Sequence, residues 1–134
     1  VTKKDVTLKR GNDSDVTVSM LIWDIMGQKG FRELLRESYF YGAEGALCVC
    51  DITNRDTLDE LKYWIRSMES ITGKIPVVFV GNKCDLVDKQ VITRQELERF
   101  ATAYGARAFL TSAKTGENVE GSFNTLASLV VSRK

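Results

Sequence analysis

Asn82, Lys83 and Asp85 close an apolar run that begins at Phe79. The run reads as a buried strand ending in a polar loop. A carboxylate fixed at such a strand end can accept two parallel hydrogen bonds from one edge of a planar base. Guanine offers that edge, a ring N–H beside an exocyclic amino group, and adenine does not. Adenine would leave the carboxylate unmatched, a polar mismatch that discriminates far more strongly than a missing methylene. Taken alone, Asn-Lys-x-Asp fits an ordinary solvated turn equally well. Two further polar loops bear on the choice. One carries Asp24, Gly27 and Gln28 directly after Trp23, and the other carries Ser112, Ala113 and Lys114 directly after Thr111.

The chain has no histidine, which removes imidazole bases, Ser-His and Cys-His nucleophile pairs and histidine metal sites. Its three cysteines are Cys48, Cys50 and Cys84. Cys48 and Cys50 stand two apart in an expected strand and point the same way, a poor geometry for a mutual disulfide. They read as buried thiols of a reducing compartment. A net charge of +1 with no basic stripe argues against a nucleic-acid binder. No apolar run approaches the ~20 residues of a membrane span and no signal-peptide pattern opens the chain, so a cytoplasmic protein is expected. At 134 residues, with 43% hydrophobic and 28% charged, the chain suits a single domain over residues 1–134.

Several elements must position these loops. Residues 1–10 alternate loosely, a cluster of turn formers follows at 11–15, and residues 16–23 alternate again, which predicts an antiparallel hairpin. Residues 24–30 form a loop and 31–41 a short helix ending at Gly42. The continuous apolar run at 46–52 predicts a strand buried on both faces. Thr53-Asn54 supplies an N-cap for a helix with Leu58, Leu61, Trp64, Ile65 and Met68 on one stripe. Gly73 and Pro76 punctuate before the strand at 77–80. Residues 86–91 are polar loop. Thr93 and Glu96 form a capping box for a helix through Leu97 and Phe100 to Tyr104, closed by Gly105. A strand at 107–110 and an amphipathic helix bearing Val119, Phe123, Leu126 and Val130 complete the chain. The order predicts an α/β, doubly wound fold: a mostly parallel sheet with one antiparallel edge hairpin and helices on both faces. Ligands of such sheets bind at the strands' carboxyl ends, where all three polar loops fall.

The stretches Trp23-Asp24-Ile25-Met26-Gly27-Gln28, Asp51-Ile52-Thr53-Asn54, Gly81-Asn82-Lys83-Cys84-Asp85-Leu86 and Thr111-Ser112-Ala113-Lys114 resemble the Ras-like small GTPases, most closely the Rab-type branch. The resemblance runs through the whole chain in order, and it implies the P-loop NTPase, small G-protein type of fold. It also implies GTP and GDP as ligands, with Mg2+. Asp85 would take the guanine N–H pair, Asn82 would brace neighbouring loops, and Lys83 would lay its apolar stem along the base. Within the Ser112, Ala113, Lys114 loop, the Ala113 amide would meet the guanine carbonyl oxygen and Lys114 would cover the other face. Asp24 would hold magnesium through a water. The Gly27 amide would bond the γ-phosphate, and Gln28 would orient the attacking water. Effector, exchange-factor or GTPase-activating proteins would meet the region 24–41, which includes the aromatics Tyr39, Phe40 and Tyr41.

The sequence also departs from the family. Nothing in it fits Gly-x-x-x-x-Gly-Lys-Ser/Thr, the phosphate-cradling loop. The first strand, phosphate loop, first helix and first switch of the family are unmatched, so an N-terminally incomplete domain is expected. In the family that first strand lies between the strands expected at 16–23 and 46–52. Its loss would leave unpaired edge groups, each costing about 1–3 kcal/mol, against a net stability of about 5–15 kcal/mol. Direct pairing of those two strands would refute this expectation. Ile25-Met26 puts bulk where the family has Thr-Ala, Lys29-Gly30 replaces an acidic-basic pair, and no prenylation cysteine occurs near Lys134. GTP hydrolysis is therefore expected if the native chain carries a phosphate loop. A GTPase-like interaction module with weak or no nucleotide binding is the alternative.

Overall fold

The computed structural model describes residues 2–8, 16–22, 40–112 and 114–132. Strands β1 (Thr2–Leu8) and β2 (Val16–Ile22) pair antiparallel, with Thr2 opposite Ile22 and Leu8 opposite Val16. This is the expected hairpin. Strands β3 (Ala46–Asp51), β4 (Val77–Asn82) and β5 (Arg107–Leu110) form a second, wholly parallel sheet in the order β3-β4-β5. Among the described residues the hairpin and the parallel sheet share no ladder, so β2 and β3 do not pair directly.

Helix α1 (Arg55–Thr72) connects β3 to β4, and helix α2 (Arg94–Thr102) connects β4 to β5. Both crossovers step the same way along the sheet, so right-handed connections put both helices on one face. There Leu58, Leu61, Ile65, Met68, Leu97 and Ala101 pack with Cys48, Cys50, Val77 and Phe79. Helix α3 (Val119–Ser132) takes the other face, where Leu126 packs with Val78 and Val80 and is flanked by Leu47, Phe109 and Val130. Helices on both faces of a parallel sheet are the doubly wound arrangement.

Local chemistry sets the ends of these elements. The Asn54 side chain accepts from the Asp56 amide at 3.1 Å, and Gly73, at φ 71°, ends α1 in a backbone region that a side chain would strain. The Thr93 hydroxyl accepts from the Glu96 amide at 3.1 Å. The Glu96 carboxylate also grips the Arg55 guanidinium, whose Nη2 donates to Oε1 at 2.9 Å, tying the start of α1 to the start of α2. Phe40 is buried edge-on against Trp64, ring centres 6.0 Å apart, whereas Tyr41 is exposed. Among the described residues no helix is long and apolar enough to cross a membrane.

Two expectations are corrected. The strand at 46–52 is not buried on both faces: Cys48 and Cys50 are covered by α1, but Val49 on the opposite face is 52% exposed. The apolar cover from Leu126 and Val130 reaches Leu47 and leaves Val49 outside it. The strand at 77–80 runs on to Asn82, because Gly81 pairs with Leu110 and its carbonyl accepts from the Thr111 amide at 2.8 Å. Gly81 is required there. A Cβ would lie 2.8 Å from Ile52 Cγ2, 2.9 Å from Leu97 Cδ2 and 3.0 Å from Leu110 Cδ2. The helix expected at 31–41 lies outside the described residues except for its last two positions.

Candidate functional site

The parallel register brings the carboxyl ends of β3, β4 and β5 level, with Asp51 opposite Asn82 and Gly81 opposite Leu110. The loops that leave these ends therefore start side by side. Two of the three expected loops meet there, those carrying Asn82 to Asp85 and Ser112 to Lys114. Asp24, Gly27, Gln28 and Ala113 lie outside the described residues. A third loop, opening at Asp51, joins the two.

The loops are bonded to one another through backbone and side chains. The Cys84 amide donates to the Thr111 carbonyl at 2.9 Å, and the Thr111 hydroxyl donates to Asn82 Oδ1 at 3.3 Å. The Ile52 amide donates to the Asn82 carbonyl at 3.2 Å. The Cys84 thiol donates to Glu117 Oε2 at 2.8 Å. Partial burial foremost, and then the Glu117 carboxylate, push that thiol up to about 11, so it stays protonated at neutral pH.

Ser112 is the hub of the β5 loop. Its side chain is completely buried, its hydroxyl donates to Asp85 Oδ1 at 2.7 Å, and the same oxygen accepts from the Thr115 amide at 3.1 Å. Its carbonyl accepts from the Gly116 amide at 2.7 Å, closing a tight turn in which Gly116 sits at φ 83°. Asn118, at φ 58°, donates from Nδ2 to the Leu110 carbonyl at 2.8 Å and so anchors the far end of the loop to the strand. Asp85 itself is exposed, and among the described residues its Oδ2 has no hydrogen-bond partner. Lys114 is exposed in the turn.

Lys83 adopts the left-handed region, φ 71°, uncommon for a residue with a side chain. Its ammonium donates to Asp51 Oδ2 at 2.7 Å. The other oxygen of Asp51 accepts from the Thr53 amide at 2.9 Å and from the Thr53 hydroxyl at 2.6 Å. Partial burial pushes the Asp51 carboxyl upward, but the bonds from Lys83 and Thr53 outweigh it and hold the group below the ordinary aspartate range. No role attaches to Asp51 from sequence. The available signal is an acid at the end of an apolar strand, followed at once by a hydroxyl residue.

A family model described as the Ras family matches residues 2–132. The chain belongs to the Ras family. Among curated proteins it is similar to Ras-related protein Rab-8B of Homo sapiens, 40% identical over 111 residues that span 82% of this chain and 53% of the relative. It is also similar to Ras-related protein Rab-8A of Bos taurus, at 39% identity over the same shares of each chain. Membership therefore falls in the Rab-type branch, and the α/β arrangement is the small G-protein fold. This Ras-family chain spans about half the length of the curated relatives it matches.

In this Ras-family chain the described part of the site is a set of acceptors and two lysines, Lys83 and Lys114, in the loops at the carboxyl edge of the parallel sheet. An exposed carboxylate with one oxygen fixed by a buried hydroxyl and the other open suits a pair of adjacent N–H donors. Among the described residues, no three or more Cys, Asp or Glu side chains gather as a metal cluster. The magnesium expectation rests on Asp24 alone, outside those residues.

Proposed function

We propose that this chain is the base-selecting part of a guanine-nucleotide-binding switch that, in the intact protein, hydrolyses GTP to GDP. The observation that carries the reading is the 2.7 Å bond from the buried Ser112 hydroxyl to Asp85. That bond fixes the carboxylate's direction before a base arrives, and preorganised acceptors bind with less loss of freedom. Asp85 takes the two N–H groups of the guanine edge, and Asn82 holds the β4 and β5 loops in register. The stem of Lys83 covers one face of the base and Lys114 the other, while the Ala113 amide donates to the guanine carbonyl.

By position in the family motif, Gly27 meets the γ-phosphate and Gln28 orients the hydrolytic water. Magnesium held at Asp24 through water would neutralise phosphate charge. The region 24–41 would relax when the γ-phosphate leaves, changing which effector, exchange-factor or activating proteins bind in the cytoplasm.

The deciding experiment is Asp85→Asn, with GDP and xanthosine diphosphate binding compared by isothermal titration. An amide donates where the carboxylate accepted, so preference should move from guanine towards xanthine. GDP should weaken by about 10- to 100-fold, as expected for a lost charged hydrogen bond. Unaltered guanine selectivity would refute base reading by Asp85. Absence of any GDP binding by the intact protein would favour the interaction-module alternative.

A further inference from the structure

We propose that Asp51 is a positioning residue for Lys83, fixing the lysine stem as one wall of the base site. The inference rests on the base-reading role of Lys83 proposed above. A lysine stem has four rotatable carbons and a strongly hydrated head, so by itself it is a poor wall. Here both ends of the side chain are held. At the backbone end, Lys83 sits at φ 71° and its carbonyl accepts from the Leu86 amide at 2.9 Å, while the next amide, Cys84, is bonded to Thr111. At the far end, Nζ meets Asp51 Oδ2 at 2.7 Å.

Asp51 is itself rigid. It ends β3 directly opposite Asn82, its amide accepts no freedom because it donates to the Thr57 hydroxyl at 2.9 Å, and Thr53 holds its second oxygen twice. An exposed ion pair between two floppy side chains contributes little. This pair differs, since one partner is immobilised by three other bonds and the other is tethered at its backbone. The lysine stem is thus drawn across the gap between the β3 and β4 ends, beside the loop that carries Asp85. Asp51 touches no base in this arrangement and acts through Lys83.

The test is a double-substitution cycle in the intact protein, read by GDP affinity. Asp51→Asn should weaken GDP by about 3- to 10-fold, and Lys83→Met by a similar factor, typical of coupled neighbours. The double variant should bind no more weakly than Lys83→Met alone, and guanine preference over xanthine should be unchanged throughout. Thr53→Val, which removes the 2.6 Å bond but leaves both charges, should weaken GDP in the same direction and have no effect once Lys83 is methionine. It serves equally if Asp51→Asn does not fold. Additive losses from Asp51 and Lys83 would mean that Asp51 acts structurally, and would overturn the inference, as would no loss from either Asp51→Asn or Thr53→Val. Those outcomes leave base reading by Asp85 standing. Failure of the intact, unsubstituted protein to bind GDP removes both readings together.

Discussion

Ser112 is fully buried and Asp85 is exposed, yet the serine hydroxyl donates to the aspartate carboxylate at 2.7 Å across 27 positions of chain. The bond joins the β4 loop to the β5 loop, and it turns an otherwise swinging surface carboxylate into an oriented one. The same oxygen also accepts the Thr115 amide, so one buried atom organises both the turn and the acceptor.

Ser112→Ala should therefore act on stability and on binding at once. Losing both bonds should cost about 1–2 kcal/mol, measured as a lower urea midpoint with an unchanged m-value. GDP affinity should fall because the Asp85 carboxylate is no longer oriented. Ser112→Thr keeps the hydroxyl but adds a methyl to a closed site, and should recover less than half of the loss.

Gly81→Ala tests the close packing at the end of β4. The added methyl meets three buried or half-buried apolar side chains at 3.0 Å or less. Ile52 and Leu97 are pinned between sheet and helix and have little room to yield. A destabilisation of about 1–3 kcal/mol is expected in equilibrium unfolding, the usual range for overpacking. Values near zero would mean that the sheet edge relaxes freely.

The Asp51 carboxyl titrates below its ordinary value of 3.8, with burial opposing the shift and Lys83 and Thr53 producing it. A depressed folded value means the unfolded chain takes up the proton first as pH falls. The stabilisation is complete above 3.8 and is lost as pH drops through the lower folded value. The Glu96 carboxyl, held down first by Arg55, loses its contribution in the same direction. The Asp51 share is read by difference: Asp51→Asn should flatten the acid limb of stability relative to the unsubstituted chain, with little change in its slope near neutral pH.

The cysteines should be sluggish towards thiol reagents. Burial pushes Cys48 up to about 12, and burial followed by the neighbouring Asp51 charge pushes Cys50 up to about 11. With Cys84 also near 11, thiolate fractions at pH 8 fall at least about 100-fold below those of the unfolded chain. Disulfide-exchange labelling at pH 8 should be slow in the native protein, and all three thiols should react promptly in guanidinium. Fast labelling of Cys84 alone would mean that its bond to Glu117 is not maintained in solution.

What the sequence determined by itself was local. Asn54 and Thr93 cap helices because their short acceptors reach amides two or three residues on, and Gly73 and Gly105 end them because glycine tolerates positive φ. The apolar stripes of α1 and α2 named their buried faces, and the order of motifs was enough to indicate the family. Asn82, Lys83, Asp85 and Ser112 could be singled out because their functional groups lie within short runs of distinctive composition.

Tertiary structure decided how those groups are used. Asp51 holds Lys83 across 32 positions, and Arg55 holds Glu96 across 41, contacts that arise only when parallel strands come into register and helices pack on one face. The exposure of Val49 depends on where α3 lies, and the need for Gly81 depends on three side chains from elsewhere in the chain. Periodicity and turn chemistry act over a few residues, whereas burial and pairing depend on what the rest of the chain brings alongside.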